Sequence, residues 1–294
     1  MKTSRLKSSV RKLLALCSPA LVKHIDRIRA ERAEKKHWQS RIADVLASPD
    51  NRNLPRHPEA GLILGDHQIM FNGLKVVTAG YYGVGMAEML RKNKGSHEPQ
   101  EEVIFADVLR RLPPGARMVE CGAYWGFYSL WFARDVPRSK VWLIEPEPAN
   151  LEIGRKNFAA NHLTGHFTRA LVGATSAEKP VPRVSVDDFL STHHIDHLEV
   201  LHADIQGAEA EMLQGAVRSL TEKKIDFLFI STHGDELQTR CMEMLGSFGY
   251  ETAVSVYPAE SYSFDGLLVC HRKGFLSVPL PAVALKEPVK PFAR

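Results

Sequence analysis

Glu120, Gly122, Gly126 and Glu145 are the residues of this 294-residue chain whose types and spacing point most directly to chemistry. Met118 and Val119 form a short apolar strand into Glu120, Gly122 and Gly126 bracket a turn, and Phe127, Leu130 and Trp131 open a helix with a period of about 3.6. Val141 to Ile144 read as a buried strand with Glu145 at its carboxyl end, 23 positions after Gly122, where an acid can accept both hydroxyls of a ribose. This is the cofactor half of a nucleotide-type α/β domain. The glycine spacing disfavours a pyrophosphate ligand. With Gly122 as the middle glycine of G-x-G-x-x-G, the first falls on Glu120 and the third on Trp125, and a carboxylate at that strand end is poorly placed beside phosphate.

Around these residues the elements alternate regularly from residue 103 onward. Pro148 to His162 is predicted helical, Phe167 to Val172 extended, and Leu198 to Ile205 a buried strand ending in Asp204-Ile205-Gln206-Gly207 before a helix over 208–220. Ile225 to Ile230, too apolar for an edge, ends in Ser231-Thr232-His233; a helix covers Glu236 to Phe248, and strands over 251–257 and 266–271 predict a hairpin closing a mostly parallel sheet. The expected fold is α/β, a Rossmann-like sheet of seven mostly parallel strands with an antiparallel C-terminal hairpin strand, plus an N-terminal helical and hairpin extension. Asp204 and His233, at the carboxyl ends of two such strands, are placed where open α/β sheets bind ligands.

The composition, 44% hydrophobic and 24% charged, is that of a soluble enzyme domain with a sizeable core. Four scattered cysteines, Cys17, Cys121, Cys241 and Cys270, form no C-x-x-C, which makes a reducing compartment the default. Residues 1–41 hold twelve Lys and Arg against Asp26, Glu31 and Glu34, a local +9 within a total of +4, which leaves −5 for residues 42–294. An acidic main domain argues against a nucleic-acid groove across it. Leu6, Val10, Leu13, Leu14 and Cys17 share one helical face among basic residues, which fits a membrane-surface helix, a partner-docking helix or a solvated one. The run LLALCSPALV is broken by Ser18 and Pro19, against a signal peptide, although the acid-free first 25 residues also fit an organelle transit peptide. A second helix, capped by Ser18, is expected from Pro19 to about Ala47, where Ser48-Pro49-Asp50 stops it; Asn72-Gly73 is a hairpin signal. The expected division is a basic helical extension and linker (1–58), a β-hairpin segment (59–102), the catalytic domain (103–275) and a Pro-rich tail (276–294).

The motif Glu120-x-Gly122-x-x-x-Gly126 resembles motif I of class I S-adenosylmethionine-dependent methyltransferases, and four separated motifs narrow the resemblance to the FkbM family. They are His97-Glu98-Pro99-Gln100-Glu101-Glu102, Val184-Ser185-Val186-Asp187-Asp188-Phe189, Asp204-x-x-Gly207-x-Glu209, and Leu213-x-Gly215-Ala216. The resemblance spans about residues 68–271 and departs from the common pattern at Gln206 and at Tyr124-Trp125. It implies S-adenosylmethionine as cofactor and O-methyl transfer to a hydroxyl of a saccharide, glycoconjugate or secondary metabolite. The alternative is a methyltransferase acting on RNA or another nucleic acid, recruited by the basic N-terminus.

On this reading the cofactor contacts are Glu98, Glu120, Gly122, Ala123, Tyr124, Gly126, Tyr128, Ser129, Glu145, Pro146 and Asn150, with Asp204 and His233 catalytic. His233 is expected to act as a neutral general base oriented by Asp204. Each has a plainer alternative. Asp204 or His233 can cap the next helix, Glu209 can be a first-turn acid on the helix dipole, Asn150 a helix-start residue, and Glu98, Glu101 and Glu102 a charged face before helix 103–111. His193, His194 and His197 read as a solvated loop. No metal site is assigned, since Asp204 and His233 alone do not define one, and a divalent ion there stays open. The expected partners are a small-molecule or glycan acceptor and a homo-oligomer or membrane-surface contact through residues 1–48, with no nucleic acid; the expected location is cytoplasmic, peripheral to the membrane if that contact forms.

Overall fold

The computed structural model describes residues 19–287, so the helical face read over Leu6 to Cys17 and the Ser18 cap lie outside the described residues. The chain divides into two compact units, residues 1–43 and 44–294. The described part of the first lies in helix α1 (Pro19–Ala47), whose last residues belong to the second and whose residues 29–37 are all exposed, as their polar sequence requires. Arg27 and Glu31 pair along it at 3.6 Å.

The second unit opens with a three-stranded antiparallel sheet, β1 (Ile63–Leu64), β2 (His67–Ile69) and β3 (Lys75–Val77). The Asn72-Gly73 signal is met: β2 and β3 pair as a hairpin, with Gly73 at φ +87°. Helices α2 (Gly83–Lys92) and α3 (Pro99–Arg111) follow.

The main sheet contains β4 (Arg117–Cys121), β5 (Lys140–Ile144), β6 (His166–Thr168), β9 (Leu198–Ala203), β10 (Ile225–Thr232), β11 (Tyr250–Val256) and β12 (Gly266–Arg272), in the order β11-β12-β10-β9-β4-β5-β6. Only β12 runs antiparallel to its neighbours, inserted between β10 and β11. The seven-stranded Rossmann-like sheet with one antiparallel hairpin strand is therefore as expected, and the apolar β10 is an inner strand. The chain leaves β4 toward β5 on one side and later returns to β9 on the other, which opens a crevice at the carboxyl ends of these strands.

Helices α4 (Phe127–Asp135), α5 (Pro148–Ala160), α6 (Val186–Thr192) and α9 (Asp235–Ser247) complete the unit. Two local readings change. The extended stretch over 167–172 is split, its second half forming β7 (Leu171–Val172) in a separate pair with β8 (Arg183–Val184). The helix over 208–220 is two short ones, α7 (Glu209–Gln214) and α8 (Val217–Thr221), parted at Gly215, where any Cβ would strike the Gly173 carbonyl. Strand alternation then sorts the core. Cys121, Ala203 and Ile230 face one apolar cluster with Phe189, Leu213 and Leu245. On the opposite face Glu120, His202 and Phe229 stand side by side in register, beneath Phe105 of α3, whose ring meets Phe229 at 5.3 Å. Among the described residues no helix is long and apolar enough to cross a membrane.

Candidate functional site

The strand register carries Gly122, Glu145, Asp204 and Ser231 to one level at or just past the sheet's carboxyl edge, around a cavity of about 360 Å³. Gly122 is at φ +74°, and a Cβ there would overlap the Asp204 carbonyl oxygen, so the ends of β4 and β9 approach this closely only with glycine. The Gly122 and Ala123 amides donate to Ile144 O at 2.9 and 3.1 Å, which folds the glycine loop back over β5. Gly126, at φ +70°, instead packs on Leu143 and starts α4; it does not line the cavity.

The predicted cofactor residues come together in large part. Glu98, Glu120, Gly122, Ala123, Tyr124, Tyr128, Glu145, Pro146 and Asn150 all line the cavity, as does Asp204, which the sequence assigns as catalytic. Ser129 sits behind it, donating its amide at 3.0 Å to the Glu120 carboxylate. Glu145 accepts from the Tyr124 amide (3.1 Å), the Glu147 amide (3.0 Å) and the Asn150 side chain (3.2 Å), so protein donors already orient it.

The reading of Glu98, Glu101 and Glu102 as a charged helix face does not hold: all three are buried, with Gln100 between them. Helix α3 lies on the sheet through this face, and its acids find partners inside. The Glu102 carboxylate accepts from Ser96 Oγ and from the His97 amide at 3.1 Å, and faces His97 Nδ1 at 2.9 Å. The Tyr128 hydroxyl donates to Glu98 at 2.9 Å, and His202 Nε2 meets Glu101 at 2.7 Å. Burial pushes the Glu101 carboxyl up to about 8 and holds the His202 imidazole below its ordinary value. Burial also raises Glu120, with His202 opposing the shift. His202 Nδ1 has no hydrogen-bond partner although its ring borders the cavity.

At the other end of the crevice, His233 stands among three carboxylates. Its Nε2 lies 3.4 Å from both Asp204 and Asp265, and its Nδ1 3.3 Å from Glu209. Glu209 is fully buried and accepts the Ile205 and Gly207 amides, each at 3.2 Å, so the acid of Asp204-x-x-Gly207-x-Glu209 ties its own loop closed while holding the histidine. Gly207, at φ +103°, supplies the turn.

These surroundings correct the expected state of His233. Burial alone would lower its pKa, but Glu209, Asp265 and Asp204 more than offset this and raise it to about 9, so the ring is an imidazolium at neutral pH. Asp204 moves up to about 7 through burial, helped by Asp265 and Glu98 and opposed by His233. Asp204 lines the cavity, whereas His233 stands behind it. Ligand atoms of Asp204, Glu209 and His233 lie within 4.8 Å of one another. Asp204 and Glu209 lie at ion-pair distance on opposite nitrogens of the ring, neither of which makes a hydrogen bond. His193, His194 and His197 do not assemble: His193 packs on Phe189, and His197 bonds Asp226 at 2.8 Å.

Sequence reasoning missed His202, Asp265, Tyr81 and Tyr82, and set Glu101 on a charged face rather than inside. A histidine inside the fully buried β9, which also holds Glu199, was the one local sign. Asp265 had none, since only the Thr232–Gly266 pairing brings it opposite His233.

Residues 120–252 match the family model described as the methyltransferase FkbM domain. No curated protein matches the chain. Among solved structures, a precorrin-6y C5,15-methyltransferase from Geobacter metallireducens is 15% identical, over 57% of this chain and 87% of that one, with a TM-score of 0.37. A ribosomal protein L11 methylase from Lactobacillus delbrueckii subsp. bulgaricus is 12% identical, over 61% and 81%, at 0.42. The M. capricolum TrmK, solved with S-adenosylhomocysteine, is 13% identical, over 57% and 67%, at 0.38.

Proposed function

We propose that this chain, whose residues 120–252 are an FkbM methyltransferase domain, uses S-adenosylmethionine to methylate a hydroxyl of a saccharide or glycoconjugate. The observation that carries the reading is the charge of the cavity wall. Among the described residues that line it, Glu98, Glu120, Glu145 and Asp204 are acids and none is Lys or Arg. Such a wall attracts a cation and repels pyrophosphate or a nucleic-acid backbone, which also weighs against the RNA alternative.

The residues fit the cofactor. Glu145 is placed to accept a ribose hydroxyl, its other acceptor positions being held by the loop. Glu98, Glu120 and the unpartnered His202 Nδ1 face the region suited to an α-ammonium, and Ala170 and Val172 give an apolar wall for a base ring. When bound, S-adenosylmethionine supplies an electrophilic methyl on a positively charged sulfur.

Asp204 is the proton acceptor on this reading. With a pKa of about 7 it is half ionised near neutrality, basic enough to take a hydroxyl proton and available to do so. The His233 imidazolium behind it stabilises the carboxylate before the transfer, and Glu209 and Asp265 hold that ring in place. Residues 59–102 contribute Tyr81, Tyr82, His97 and Glu98 to the wall, next to the domain we place at 103–275. Residues 1–58 we assign to assembly or to a membrane surface on the cytoplasmic side, and 276–294 to a tail.

Calorimetry with S-adenosylhomocysteine and with NAD tests the cofactor, and transfer of labelled methyl to a saccharide panel tests the acceptor. Binding of the first ligand alone, with label on sugar oxygen, is expected. Label reaching only RNA or protein would refute the acceptor class.

A further inference from the structure

Three non-glycine residues bordering the cavity have left-handed backbone: Tyr82 at φ 46°, Tyr124 at 43° and Gln206 at 56°. Each such residue costs on the order of 1–3 kcal/mol and persists only where its surroundings dictate it. The rings show what dictates the two tyrosines. Buried Tyr81 stacks flat on Trp125, with centroids 4.5 Å apart and planes 8° from parallel. Tyr82 meets Tyr81 at 4.6 Å, Tyr124 meets it edge-on at 4.9 Å, and Tyr82 and Tyr124 lie 5.3 Å apart. The Tyr81–Trp125 pair is thus a pedestal that holds two further rings at the mouth.

Held by these ring contacts, Tyr82 nevertheless remains 44% exposed. Gly83, which follows at φ +72°, has open space where its Cβ would be; it is needed there for conformation alone. Gln206 also borders the cavity, its side-chain amide donating to Asp204 at 2.9 Å.

We propose that this mouth is the acceptor subsite and that it takes an uncharged pyranose ring of a glycan. The C–H face of the sugar lies on Tyr82 and Tyr124, and its hydroxyl edge reaches Asp204 and Gln206. The inference rests on the methyltransferase reading above and adds the residues that select the acceptor. Aromatic faces also receive nucleobases, but the acidic wall repels the phosphates that accompany them. A pyranose has both an apolar face and a hydroxyl rim, and it carries no charge. The cavity, about 360 Å³, is at the small end of ligand pockets; the cofactor fills it, and the acceptor docks at its opening.

The test uses the full chain, S-adenosylhomocysteine titration, and initial rates on a panel of methyl hexopyranosides and short oligosaccharides. Tyr82→Ala should raise the KM of the methylated saccharide roughly 10–100-fold, leave S-adenosylhomocysteine affinity within about twofold, and be rescued by Tyr82→Phe and Tyr82→Trp. An unchanged acceptor KM in folded Tyr82→Ala overturns the subsite. So does a tenfold loss of S-adenosylhomocysteine affinity, which would make the rings a cofactor platform. If the wild-type chain methylates another hydroxyl compound but no saccharide, the acceptor class of the proposed function is what fails, and the pyranose assignment falls with it.

Discussion

Replacing Asp204 by asparagine should change the pH dependence of stability in a direction the site dictates. The Asp204 carboxyl rises from its ordinary 3.8 to about 7 on folding, through burial and the nearby Asp265 and Glu98. The folded chain therefore keeps a proton that the unfolded chain gives up, and the group's contribution to stability falls as pH rises from about 4 to about 7, then levels off. At about 1.4 kcal/mol per pH unit, the two units between pH 5 and pH 7 amount to roughly 2.7 kcal/mol. A side chain still 22% exposed to solvent is partly screened, which brings the expected effect to about 2 kcal/mol. Loss of the partner of His233 lowers the variant's stability at both ends of this range, so the informative quantity is the difference between them. Urea unfolding followed by tryptophan fluorescence at pH 5 and pH 8 measures it. Relative to wild type, Asp204→Asn should gain about 2 kcal/mol on going from the lower to the higher pH. A variant-minus-wild-type difference that is the same at both, within about 0.5 kcal/mol, would show that Asp204 is an ordinary solvated carboxylate and would remove it as the base.

Three other outcomes are expected. His233→Ala removes the cation that favours ionised Asp204, so the acid limb of the kcat/KM profile should move to higher pH, with turnover at pH 7 falling at least about tenfold and partly recovering above pH 8; an unshifted limb would exclude the coupling. Gly122→Ala puts a Cβ onto the Asp204 carbonyl and should abolish S-adenosylhomocysteine binding or folding, whereas Gly207→Ala meets open space and should cost only the roughly 1–2 kcal/mol of its φ; equal effects in calorimetry and melting would refute the close-approach argument. Glu145→Ala should weaken S-adenosylhomocysteine by about 2–4 kcal/mol and Glu145→Gln by less, since glutamine keeps one acceptor for the loop amides; unchanged affinity in a folded alanine variant would take the residue out of the site.

The amino-acid sequence by itself determined the α/β alternation, the inner position of β10, the closing hairpin and the glycine turn between two strand-end acids. These depend on periodicity and turn chemistry within a few residues: Gly122 and Gly126 need positive φ, and Asn72-Gly73 marks a hairpin wherever it stands between strands. The Asp204-Gly207-Glu209 loop was picked out by family resemblance, and Glu209, read locally as a first-turn acid on the helix dipole, instead closes hydrogen bonds two and four residues away. The tertiary structure alone decided which titratable groups meet. Glu101 reaches His202 across 101 positions of sequence, and Asp265 faces His233 only because β12 enters the sheet antiparallel beside β10. That arrangement shifts both groups from their ordinary values: three carboxylates from separate segments raise the His233 imidazole, and burial raises the Asp204 carboxyl. A pKa sums Coulomb and desolvation effects over every atom within several ångströms, and those atoms are assembled by the sheet rather than by neighbouring positions in the chain.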